Sequence, residues 1–241
     1  MSANANEANV IEPPPPVKPK LRLELDAPHT VYRTRDGVRV PSVTTVLGML
    51  DKPALLWWAW DLGRKGEDYR KVKQRAADVG TVAHGLCEAY LRGMELDTSN
   101  LVPEVVAQAQ VSFERFRKWW DAQGYTVLHN ELPLVSEKWR VGGTLDVMAQ
   151  DREGNLVLVD LKTSRRVYFE MQLQVSAYAA IYEEVTSGPV SELFIVRIGK
   201  AEQEDDAGFE VVPVKGREKK AAAFAALARA REKLLQAGMK L

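Results

Sequence analysis

The sequence predicts an α/β fold, a central mixed β-sheet flanked by helices and preceded by an N-terminal helical region. Three observations carry this. Apolar stripes at helical spacing dominate residues 54–123, a run of strand-like segments follows from Tyr125 to Lys162, and helix and strand patterns then alternate to the C-terminus. A chain of 241 residues suits one large domain. It can remove roughly 70% of its extended surface from water, so it needs no disulfide or structural metal to fold.

Residues 1–20 are rich in Asn, Ala and Pro, and Pro13–Pro16 favours polyproline II, so they read as a disordered arm. Residues 21–241 read as one domain. HTVYRTRDGVRV predicts a hairpin turning at Asp36-Gly37, where a tight turn takes positive φ angles. Ser42 or Thr44 caps a short helix through Leu50, and Pro53 suits the first turn of the next, which carries Trp57, Trp58 and Trp60. Helices follow over Asp78–Arg92 and Val102–Gln123, the second ended by Gly124. Strands are expected at Tyr125–Leu134, Trp139–Ala149 and Asn155–Lys162, then a helix at Phe169–Glu184, strands at Val190–Ile198 and Phe209–Val214, and a helix at Glu218–Gln236.

Lys plus Arg and Asp plus Glu each total 33, for a formal net charge of zero. This excludes a histone-like tail protein or a basic coat for nucleic acid, but not an enzyme with a local positive groove. The lone Cys87 excludes an intramolecular disulfide and an iron–sulfur cluster within one chain, and fits a reducing compartment. The N-terminus lacks the basic start and apolar core of a secretory signal, and no apolar run approaches 18 residues. The expectation is a soluble, intracellular protein of the cytoplasm (the host's, if phage-encoded), with no membrane partner.

The chemistry concentrates in GGTLDVMAQDREGNLVLVDLKT and the QLQVSAY after it. Asp146 lies on one strand and Asp160 near the end of the next. Alternation puts Asp160 and Lys162 on one face and Leu161 on the other. Two carboxylates and a lysine converging at a sheet rim suit Mg²⁺ or Mn²⁺ beside a phosphodiester: a hard cation takes oxygen ligands, and the lysine orients or activates water. Spacing alone does not separate this from a surface ion pair. Gly142 and Gly143 permit a bulge or a close backbone approach.

This segment resembles the PD-(D/E)XK nuclease superfamily, in particular its RecB-type and phage-exonuclease branch. The resemblance rests on Gly143-Thr144-Leu145-Asp146, Asp160-Leu161-Lys162, Gln174-Val175-Ser176-Ala177-Tyr178 and His84 in GTVAHGLCE. PSVTTVLGMLDKPALLWWAW is similar to the N-terminal region of phage and mitochondrial genome-maintenance exonucleases. The resemblance implies a restriction-endonuclease-like core, with Asp146, Asp160 and the Leu161 carbonyl as metal ligands and His84 as a further ligand or near neighbour. It implies that Lys162 positions the nucleophilic water, and that Gln174 and Tyr178 support Lys162 or contact the DNA backbone. The aspartate at position 160 stands where many members carry glutamate. No Walker-type P-loop is present, so ATP is not expected.

Glu88, four residues after His84, shares its helix face and would bind a second metal or orient His84. Glu131, at the start of a strand, approaches the same cleft. Residues 64–75 carry six basic and two acidic side chains. Arg64, Lys65, Arg70, Lys71 and Lys73 there would meet phosphates or form a solvated helix face, and Arg165 and Arg166 are better placed for the backbone. Trp57 and Trp60 are expected in the core, with Trp58 the one to stack on a base or wedge a duplex end. Trp119 and Trp120 are expected in the core, and Tyr168 and Phe169 near nucleic acid.

The function this implies is a divalent-metal-dependent DNA exonuclease leaving 5′-phosphates, working in recombination, repair or replication, with Mg²⁺ as cofactor and Mn²⁺ substituting. DNA is the partner, a single-strand-binding or recombination protein a second candidate, and the oligomeric state is open. A structure-selective or nicking endonuclease and a non-catalytic DNA-binding subunit are the alternatives.

Overall fold

The computed structural model describes residues 18–25, 30–199 and 208–240. The expected arm lies outside the described residues up to residue 17, and its last residue, Lys20, begins β1 (Lys20–Arg22). This strand runs parallel to β4 (Glu95–Asp97). The expected hairpin forms from β2 (Tyr32–Arg33) and β3 (Arg39–Val40), with Gly37 at φ 81° in the turn.

Ser42 caps α1 (Val43–Leu47), its hydroxyl accepting from the Thr45 N–H at 3.0 Å, and the helix stops three residues before its expected end. Pro53 opens α2 (Pro53–Arg64). The next helix, α3 (Tyr69–Leu91), starts well before Asp78 because Asp68 caps it, accepting from the Arg70 N–H. Gly124, at φ 70°, closes α4 (Pro103–Gln123).

The main sheet has the order β5-β6-β7-β8-β9. Its strands are β5 (Thr126–Ser136), β6 (Val141–Gln150), β7 (Leu156–Lys162), β8 (Val190–Ile198) and β9 (Phe209–Pro213). The first three form an antiparallel meander. A crossover through α5 (Phe169–Thr186) makes β8 parallel to β7, and β9 returns antiparallel. The chain finishes in α6 (Arg217–Gln236). The expected mixed sheet with flanking helices is therefore present.

Both faces of the sheet are covered. Leu145, Leu158, Ile181 and Phe224 pack together on the side of α1, α5 and α6. Val157 and Val159 meet Cys87 of α3 and Phe116 and Trp120 of α4 on the other. Fully burying side chains of this size stabilises by about 1.5–3 kcal/mol each.

One irregularity positions the site. The β6–β7 ladder ends at Val147↔Val159, while β7 stays paired with β8 as far as Lys162↔Arg197. Continuing the register would set Asp146 against Asp160, where the two strands part.

Candidate active site

In that parting the Leu161 N–H, left without a β6 carbonyl, donates to Asp146 Oδ2 at 2.7 Å. The carboxylate thus takes the place of a strand partner and is fixed beside β7. On its other flank, Asn130↔Val147 and Leu132↔Leu145 bracket Glu131 and Asp146. Glu131, Asp146 and Asp160 therefore form one row across three strands. Glu131 sits at φ 50°, a left-handed conformation rare for a residue with a side chain. From α3, His84 Nδ1 lies 3.8 Å from Asp146 Oδ2.

Asp160 is fully buried, and Lys162 Nζ stands 2.5 Å from its Oδ2. Neither Asp160 oxygen receives a hydrogen bond of good geometry. Alternation along β7 thus sets Asp160 and Lys162 together, as expected, while Leu161 packs into the core.

Burial dominates the electrostatics. It raises the Asp160 pKa above the usual carboxylate range, with Lys162 opposing and Asp146 reinforcing. Glu131 is pushed up to about 9 by burial, then by the charges of Asp146 and Glu88. Burial disfavours the Lys162 cation, but Asp160 and Asp146 outweigh it and leave its pKa above the ordinary value. Burial lowers the His84 pKa, Asp146 raises it and Lys162 lowers it further. Burial and neighbouring negative charge thus disfavour full ionisation of Glu131 and Asp160.

The donor set fits a divalent ion. Ligand atoms of His84, Glu131 and Asp146 all lie within 4.8 Å of one another, a separation that two ligands of one oxygen-coordinated ion can span. Oxygen donors predominate, and the buried Asp160 carboxylate has room for a further bond. Asp160 stands outside the His84–Glu131–Asp146 group because its carboxylate is drawn to Lys162.

The expected supporting residues divide. Gln174 Nε2 donates to the Tyr178 hydroxyl at 3.0 Å, and the Tyr178 ring packs in the core close enough to feel the Asp160 and Asp146 charges. Lys162 makes no hydrogen bond with either, among the described residues. Glu88 shares the His84 face, but its carboxylate pairs with Arg92 at 2.8 Å. Gly142 and Gly143 serve close approach: a Cβ on Gly142 would overlap Tyr32, and one on Gly143 would overlap the Tyr178 ring.

The basic segment 64–75 is not one helix face. It crosses a break at Gly66 (φ 73°) between α2 and α3. Arg64 lies over the Trp60 ring and Lys65 pairs with Asp61 at 2.7 Å, while Arg70, Lys71 and Lys73 are exposed on the first turns of α3. Arg165 and Arg166 are exposed in the loop after Lys162, followed by exposed Tyr168.

The tryptophans of α2 reverse the expectation. Trp57 (68% exposed) and Trp60 (55%) face solvent, whereas Trp58 packs edge-on against Tyr69. The reason is that α2 meets its neighbours along a narrow strip through Leu62 and Trp58. Trp120 is buried and Trp119 packs beside it, as expected.

A cleft of about 920 Å³ opens beside the carboxylates. Glu131 and Thr144 line it together with Tyr32, Arg39, Ser42 and Arg231. Tyr32 fixes one wall through a 2.9 Å hydrogen bond with Thr144. The sequence singled out neither Tyr32 nor Arg231, since only the fold brings them to Glu131.

Comparison with known proteins gives the family of the chain. A family model for the PD-(D/E)XK nuclease superfamily matches residues 56–240. The chain belongs to that superfamily, whose members are nucleases that use divalent metal ions, and DNA is the substrate class it implies. The sheet and its helices accord with the restriction-endonuclease-like fold. Two solved structures are similar to part of the chain. One is named "Putative exonuclease", from Eubacterium rectale, at 12% identity over 68% of this chain and 69% of that one, TM-score 0.45. The other is SSO0001, at 12% identity over 66% and 74%, TM-score 0.37. No curated protein matches. Among the described residues, no helix is long and apolar enough to cross a membrane.

Proposed function

We propose that this chain is a Mg²⁺-dependent DNA exonuclease of the RecB-type and phage-exonuclease branch, releasing 5′-phosphate products in recombination, repair or replication. The observation that carries the reading is the convergence of Asp146, Asp160 and Lys162 where β6 and β7 part, beside His84, Glu131 and an open cleft.

Asp146, Asp160 and the Leu161 carbonyl, joined by Glu131 and His84, would hold the ion. Bound there, it supplies Lewis acidity, making water more acidic and offsetting phosphate charge. Lys162 holds the attacking water in line with the phosphorus and stabilises negative charge as it develops. The Asp160–Lys162 pairing keeps the ammonium aimed at the site and prevents it from turning outward. Tyr178, held by Gln174, fills the space above Gly143 and keeps β6 at its distance from α5. Arg165 and Arg166 would meet the DNA backbone, and contacts of that kind set register without reading sequence.

Digestion of end-labelled linear single- and double-stranded DNA, with closed circles as controls, tests this in Mg²⁺, Mn²⁺ and EDTA. Metal-dependent loss of linear DNA is expected, reduced about 10²–10³-fold in a folded Lys162→Ala protein. Cutting of circles would establish an endonuclease. Normal DNA binding without turnover in either metal would leave a binding subunit.

A further inference from the structure

Helix α2 displays apolar surface that the fold does not use. Only one strip of it packs, through buried Leu62 and through Trp58, whose ring meets Tyr69 at 5.2 Å. Leu56 is 72% exposed, and Trp57 and Trp60 stand beside it on the outer side. Grouped exposure of side chains this large marks an interaction surface.

The two outer indoles are held in place. Trp57 and Trp60 meet edge to face, with centroids 5.9 Å apart and planes at 89°. The Arg64 guanidinium sits 4.8 Å from the Trp60 ring centroid. Two rings at right angles present one flat π surface and one edge to whatever approaches.

The surroundings select the occupant. Residues 52–73 carry six basic and three acidic side chains in a chain whose formal net charge is zero. An apolar protein helix would complement Leu56 and the indoles but not this basic surround. An unpaired nucleic-acid strand complements both, offering base faces to the rings and phosphates to the cations. The start of α2 also reaches the helix that follows the candidate site. Lys52 Nζ lies 3.7 Å from Glu170 Oε1, joining the start of α2 to the first turn of α5. There Phe169 is 62% exposed, a few residues beyond Lys162. Thr163 is packed against Gly80 of α3, one turn before His84.

We propose that Leu56, Trp57 and Trp60 form a base-stacking platform for an unpaired DNA strand passing between the basic edge of α2–α3 and the candidate active site. This rests on the nuclease reading and specifies the form of DNA handled there. The platform is indifferent to sequence, because every base has a π face and none of the three side chains reads base edges.

The test uses the full chain in EDTA, where hydrolysis is suppressed. Fluorescence anisotropy measures binding of oligothymidylate of about 20 nucleotides and of a blunt duplex of equal length. A Trp57→Ala/Trp60→Ala protein is expected to lose ten- to hundred-fold in affinity for the single strand and less than about threefold for the duplex. Trp57→Phe/Trp60→Phe, which keeps two aromatic faces, is expected to stay within about threefold of wild type. Circular dichroism reports whether each variant is folded. Unchanged single-strand affinity in the alanine protein would overturn the platform, and a dimer-to-monomer change with DNA binding intact would assign the face to protein contact instead. Digestion in Mg²⁺ by the same proteins separates the two ideas. Normal Lys162-dependent digestion with unaltered binding sinks the platform alone. Tryptophan-dependent binding without digestion by wild type sinks only the hydrolytic reading. A wild-type protein that binds neither DNA sinks both.

Discussion

Glu131 combines two unfavourable states. Its backbone is left-handed, which costs about 1–3 kcal/mol, and its carboxyl is pushed up to about 9 by burial and by Asp146. The folded protein therefore holds the Glu131 proton where the unfolded chain, near 4.5, releases it. The stability this contributes is complete below about pH 4.5 and is lost as pH rises toward 9. In EDTA, Glu131→Gln should hardly change stability at pH 4.5 and should stabilise the protein increasingly above it, on the order of 5 kcal/mol at pH 8. Thermal unfolding across that range checks this, and identical slopes for both proteins would refute it. Divalent ions should raise the wild-type Tm more than that of the variant. Asp160 and Lys162 could be set on one face from the sequence because strand alternation fixes them, and Asp146 could be found through the resemblance of its motif. Glu131 could be placed only in the neighbourhood, since its direction depends on a φ angle that residue type does not announce. The tryptophans misled because composition says that indoles prefer cover, while the packing of one particular helix decides which of them receives it.

Between β6 and α5 the fit depends on Gly143. A methyl group there would overlap the Tyr178 ring, which is rigid and packed in the core, so neither side can yield cheaply. Gly143→Ala should destabilise by about 1–3 kcal/mol in urea denaturation. Tyr178→Leu should relieve part of that loss when combined with it, but not when introduced alone. Additive effects in the double variant would show that the glycine serves something else. The longer elements could be read from sequence: β8 has its expected bounds and α4 ends at Gly124. The pair β1–β4 could not, because three residues have no period and exist as strands only through one another. The charge of the basic run 64–75 is visible in sequence, while the break at Gly66 that divides it between two helices needs the positive φ to show itself. The parting of β6 from β7 is also a tertiary matter, set by a carboxylate accepting a bond that a backbone carbonyl would have taken.

A basic run from Arg64 to Arg75 and a cluster of carboxylates where β6 and β7 part coexist in a chain of zero formal charge. Attraction for a polyanion is therefore local, directed along α2 and the start of α3. That arrangement gives α3 the character of a ruler. One helix separates Arg70 from His84 by about 21 Å at 1.5 Å per residue, with Trp58 of α2 docked near its first end. At roughly 3.4 Å per stacked nucleotide this is a span of about six nucleotides between grip and cut. Shorter fragments can occupy one station but not both, so they should dissociate faster than they are trimmed. Limit digests resolved on a sequencing gel should accumulate oligonucleotides near that length, and Trp57→Ala/Trp60→Ala should erase the step in the size distribution. The enzyme would thus set the size of its own leftovers by the length of a helix that forms no bond to be cut.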